Sequence, residues 1–105
     1  MPGKLILQYL AKIKQLISSG CWVLVPRKKN LDSLAREGLT VADAKNALLS
    51  LEIRDYQRGP ELDYSYSGDV WVFKRTVEST EFYIKLKIDV ANDGTEVLKC
   101  ISFHS

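Results

Sequence analysis

Thr80-Glu81-Phe82-Tyr83-Ile84-Lys85-Leu86-Lys87-Ile88-Asp89-Val90 alternates cleanly between apolar and polar positions. Phe82, Ile84, Leu86 and Ile88 fall on one side, and Tyr83, Lys85 and Lys87 on the other. A period of two with one greasy and one wet side is the mark of a strand in a sheet whose faces differ. Such a strand belongs to a sheet with a layer packed on its apolar face. Downstream, Asn92-Asp93-Gly94 is a hairpin signal, so residues 95–104 return antiparallel. Strict alternation sorts this second strand into Val97, Ile101 and Phe103 against Leu98, Cys100, Ser102 and His104. Upstream, residues 69–75 carry Val70-Trp71-Val72-Phe73, the run expected of a strand buried on both faces.

The first half of the chain has a different period. Within residues 4–19, Ile6, Tyr9, Leu10, Ile13, Leu16 and Ile17 recur at helical spacing, and Ser18-Ser19-Gly20 ends the helix. Cys21-Trp22-Val23-Leu24-Val25 reads as a short strand or extended segment closed by Pro26. Asn30 or Asp32 is the expected cap of a short helix reaching Arg36, with Gly38 as its stop. Thr40-Val41-Ala42-Asp43 resembles a capping box, followed by an apolar stripe of Val41, Ala44, Ala47, Leu48 and Leu51. Residues 55–67 are polar, contain Gly59-Pro60, and read as a long connection holding at most a short strand. The expected fold is α+β, with N-terminal helices packed on one face of a mainly antiparallel β-sheet. Residues 1–105 are expected to form a single domain.

Composition narrows the chemistry. Apolar residues make up 46% of the 105 positions and charged residues 27%, an ordinary globular balance. The net charge of +2 names no partner by itself. Basic residues nevertheless recur at Lys4, Lys12, Lys14, Arg27-Lys28-Lys29, Lys74-Arg75, Lys85 and Lys87, which permits an RNA-binding face. Cys21 and Cys100 lie in apolar runs and read as buried thiols rather than a disulfide. No leader is visible and no apolar run approaches the ~20 residues of a membrane span. The expectation is a cytoplasmic protein without a membrane partner. With one histidine and no HExxH or CxxC spacing, no metal site and no cofactor are expected. Neither a glycine-rich phosphate loop nor a GxSxG elbow is present, and no spacing pairs the carboxylates for glycosidase work.

What remains is a set of late-strand residues able to cleave RNA without a metal. A 2′-hydroxyl attacks the neighbouring phosphorus and a 5′-oxygen leaves. The step needs a proton acceptor, a proton donor and cations around the phosphate. Tyr83 and His104 are the candidates for proton transfer, and histidine's ordinary pKa of ~6.5 suits either role. Lys85 and Arg58 are the candidate phosphate clamps, with Lys74, Arg75 and Lys87 as further RNA contacts. Each also has an ordinary explanation: a half-exposed strand face, a frayed C-terminal histidine, a solvated loop arginine.

The same residues carry a resemblance. Gly38-Leu39-Thr40, Ala47-Leu48-Leu49-Ser50-Leu51 and Asp55-Tyr56-Gln57-Arg58-Gly59-Pro60, then Val70-Trp71-Val72-Phe73, Tyr83-Ile84-Lys85-Leu86-Lys87 and Cys100-Ile101-Ser102-Phe103-His104, resemble MqsR-family toxins in order and spacing from about residue 34 onward. The resemblance implies a RelE-like fold and a type II toxin that cuts mRNA and is silenced by a cognate antitoxin protein. The ribosome is a further candidate partner. Arg58 matches a family lysine implicated in cleavage, and Tyr83 matches a family tyrosine. His104 stands where the best-known member has a catalytic lysine. Val70 falls near that member's active-site glutamine, which puts the cleavage preference in question.

Two other functions fit the same residues. One is a non-catalytic RNA- or protein-binding module, a degenerate toxin, using the same basic face. The other is a partner-binding domain that adds a strand to an open sheet edge.

Overall fold

The computed structural model describes residues 2–63 and 68–105. In chain order the elements are α1 (Pro2–Ser18), β1 (Trp22–Leu24), α2 (Lys28–Glu37), α3 (Val41–Leu49), a 3-10 turn (Ile53–Asp55), β2 (Tyr56–Leu62), β3 (Asp69–Val77), β4 (Thr80–Val90) and β5 (Glu96–His104). The strands form one sheet in the order β1-β5-β4-β3-β2. All neighbours are antiparallel except β1, which runs parallel to β5. The fold is α+β, helices first. Among the described residues, no helix is long and apolar enough to cross a membrane.

The core lies between the helices and one face of the sheet. Ile6, Leu10, Ile13 and Ile17 of α1 and Ala44, Ala47 and Leu48 of α3 are buried with Trp71, Phe73, Phe82, Ile84, Leu86, Leu98, Cys100 and Phe103. Tyr9 closes the seam by stacking on Trp71, with ring centroids 4.1 Å apart. Helix α3 starts as its sequence dictates. The Thr40 hydroxyl accepts from the Asp43 amide at 3.2 Å, and the Asp43 carboxylate accepts from the Thr40 amide at 2.8 Å, which satisfies two otherwise orphaned donors.

Five expectations change. Helix α2 is flanked by Arg27, with no side-chain cap. Neither Asn30 nor Asp32 caps it, because Asn30 is spent on the sheet and Asp32 pairs with Lys28 at 2.6 Å. The stretch expected as a connection contains the edge strand β2; residues 64–67 of that stretch lie outside the described residues. An edge strand half in water needs no apolar alternation, and its register shifts accommodate Gly59-Pro60. The sheet has two strands more than the three of the late meander: β2 pairs with β3, and β1, a short strand as its apolar run predicts, pairs with β5 over three residues. Both cysteines are free, but only Cys100 is buried, Cys21 being half-buried.

The fifth change decides the site. Between Leu86↔Cys100 and Lys85↔Ser102 the ladder of β4 and β5 shifts register, leaving Ile101 as an extra residue. A bulge of this kind reverses the alternation beyond it. Leu98, Cys100 and Phe103 therefore share the core face, whereas strict alternation separates Phe103 from the other two. Ser102 and His104 turn to the opposite face.

Candidate active site

The face turned away from the core carries the residues singled out in the sequence. Across β3, β4 and β5, three register rows stand side by side: Lys74↔Tyr83↔His104, Val72↔Lys85↔Ser102 and Val70↔Lys87↔Lys99. Tyr83 and His104 are directly opposite each other, their rings 5.2 Å apart and 28° from parallel. From the edge strand, Arg58 reaches across β3, and its Nη2 donates to the Tyr83 hydroxyl at 3.1 Å. Lys85 lies one side-chain step along β4, its Nζ 2.6 Å from the Asp63 carboxylate. Tyr83, His104, Arg58 and Lys85 thus meet on one half-exposed surface.

The backbone that places Arg58 is unusual. Gly59 has φ +128°, and a β-carbon there would lie 2.9 Å from the Cα of Trp71 and from the Val70 carbonyl oxygen. Only glycine lets β2 approach β3 this closely. Gly59→Ala is expected to cost roughly 1–3 kcal/mol and to loosen Arg58. A denaturant melt together with an RNA affinity measurement checks this, and an unchanged midpoint and affinity would contradict it.

His104 is held by elements far away in sequence. The side chain of Asn30, fully buried, donates through Nδ2 to the carbonyls of Val25 and Ile101, both at 2.9 Å. Its Oδ1 accepts from the Phe103 amide at 2.9 Å. One amide side chain therefore takes the place of a neighbouring strand where β1 has ended. Arg27 adds donors to the Ile101 carbonyl at 3.2 Å and the Ser102 hydroxyl at 3.0 Å.

The surrounding charges act in opposite directions on His104 and Arg58. Partial burial lowers the His104 pKa below its ordinary value, and the nearby charges of Lys29, Arg27 and Lys85 lower it further. The ring is therefore neutral at pH 7 and offers a lone pair. Arg58 is raised, first by its hydrogen bond to Glu61 (Nε to Oε1 2.7 Å) and also by Tyr83, so it stays charged. Because Arg58 donates to the Tyr83 oxygen, the phenol's own hydrogen is free to point elsewhere.

The remaining candidates divide. Lys87 shares the face, although its side chain is nearly buried and paired with Asp89 at 2.6 Å. Lys74 stands beside Tyr83 in the same row, 4.0 Å from Glu81. Arg75 does not join them: alternation sends it the other way, to Asp55 at 2.9 Å and Glu52 at 3.6 Å. Val70 is closed off from solvent, so nothing there replaces a glutamine. Sequence reading missed Asn30, which has no local signal because its partners are long-range. It also missed Lys99, which had one: a lysine between the core residues Leu98 and Cys100 must face outward. Set against known proteins, the chain matches no family model, and among curated proteins none matches it significantly.

Proposed function

We propose that this chain is an endoribonuclease of the MqsR toxin type, cutting mRNA by 2′-hydroxyl attack without a metal and silenced by a cognate antitoxin. The observation that carries the reading is the direct pairing of Tyr83 with His104 on the sheet face that also bears Arg58, Lys85 and Arg27. In the proposed step the neutral His104 ring takes the proton from the 2′-hydroxyl. Tyr83, oriented by Arg58, gives its proton to the departing 5′-oxygen. Lys85 and Arg58 stabilise the charge that builds on the phosphate oxygens. Both bonds change at one phosphorus, and the products are a 2′,3′-cyclic phosphate and a 5′-hydroxyl.

The test is to map cut ends on a defined transcript with and without EDTA. Cleavage that persists in chelator and leaves cyclic or 3′-phosphate ends is the expected result. Intact RNA, together with harmless expression of the wild type in bacteria, would overturn the proposal. A second reading is favoured by one feature: Arg58 and Lys85 each already hold a carboxylate, Glu61 and Asp63. Under that reading the face binds RNA without cutting it, Tyr83 and His104 serving as a stacking platform for bases. RNA binding with no cut ends would single it out.

A further inference from the structure

Two register rows away from Tyr83 and His104, the same face carries a second concentration of positive charge. Lys87 and Lys99 are directly opposite each other on β4 and β5. Asp89 lies between them, one carboxylate oxygen 2.6 Å from Lys87 Nζ and the other 2.7 Å from Lys99 Nζ. Like charges placed opposite in a ladder repel, and the Lys87 side chain is only 6% exposed, so its ammonium has lost most of its water. One carboxylate neutralises one of the two lysines. A purely structural ion pair would need only one, and the surplus charge is oriented toward the open face at Lys99, whose side chain is 42% exposed.

We infer that Lys87 and Lys99, held by Asp89, form a second phosphate subsite for a single-stranded RNA backbone that runs along β4 and β5 from the Tyr83–His104 pair. This rests on the ribonuclease reading above and extends it to the substrate: a single strand engaged over several nucleotides. Lys85 occupies the row between, so two successive rows of this face carry lysines, Lys85 and Lys87 on β4 and Lys99 on β5. From Tyr83 to Lys87 the strand rises roughly 13–14 Å at about 3.4 Å per residue. A sheet face with lysines in successive rows suits an extended strand, whose phosphates can follow the rows. Asp89 spans both ammonium groups and fixes their separation, and its own pKa is lowered by the hydrogen bonds from Lys87 and Lys99.

The test is a length series of uniformly 2′-O-methylated RNA oligonucleotides, which cannot be cut, from a dinucleotide upward, bound to the wild type, Lys99→Gln and Lys99→Arg. Wild-type affinity should step up when the strand grows long enough to reach Lys99. In Lys99→Gln that step should shrink roughly three- to tenfold, with the salt slope falling by about 0.7, while shorter oligonucleotides bind unchanged. Lys99→Arg should keep the step. Thermal melts confirm that both variants fold. A step of undiminished size in Lys99→Gln, while the wild type still cuts a natural transcript, overturns the subsite and leaves the ribonuclease reading standing. No binding at any length and no cutting overturns both.

Discussion

Alanine at position 104 is expected to lower RNA cleavage by about 10²–10⁴-fold, the usual contribution of a positioned acid–base group, while leaving the fold intact. His104 is half-buried at the end of β5, and among the described residues its imidazole has a hydrogen-bond contact only with the adjacent Ser105 carbonyl, at 3.4 Å, so little of the fold depends on the ring. The pH profile tests its role. The imidazole pKa lies below the ordinary 6.5 because burial and three neighbouring cations oppose its protonation. A general base must be neutral, so cleavage should rise with pH along a limb lying below 6.5 and then level off. Were the ring instead the acid, activity would decline through that same interval and be small at neutrality. Stability shares the sign: the unfolded chain takes up the proton more readily, so stability is lost as pH falls from 6.5 to the depressed value. Cleavage by His104→Ala at the wild-type rate would remove this residue from the mechanism.

Asn30→Ala is expected to have the second large effect, through stability and position rather than chemistry. The substitution leaves the Val25 and Ile101 carbonyls short of a buried donor and the Phe103 amide without its acceptor. Buried groups stranded in this way cost about 1–3 kcal/mol each, with Arg27 still serving the Ile101 carbonyl. A total of roughly 2–4 kcal/mol follows, lowering the melting temperature by roughly 10–25 °C. Because the Phe103 amide adjoins His104, cleavage per folded molecule should also fall, measured well below the variant's own melting temperature. Lys28→Ala on the same helix is the control, since its pair with Asp32 is solvent-exposed and worth little. If Asn30→Ala melts with the wild type, the amide is not the brace described here.

Elements with strong periodicity are legible from their residues alone. Residues 80–90 form β4 as their alternation requires, the α1 stripe is buried at the positions its spacing picks out, and Thr40 begins α3 with its capping box. Strand β2 is hidden because an edge strand carries polar side chains on an exposed backbone. The late-strand candidates Tyr83 and Lys85 are readable because their face follows from a regular strand. Arg75 groups with Lys74 by adjacency in sequence, although neighbours along a strand point to opposite faces.

The sequence by itself settled the type of each strongly periodic segment and which side of β4 is wet, since both follow from local spacing and the removal of apolar side chains from water. Which face His104 occupies was decided only by the tertiary structure. Phe103 is large and apolar, so burying it favours a ladder with Ile101 as an extra residue, and that shift turns the imidazole toward Tyr83. The partners that hold the shifted strand come from Arg27 and Asn30, more than seventy residues earlier in the chain. No local pattern encodes a choice made by contacts that distant.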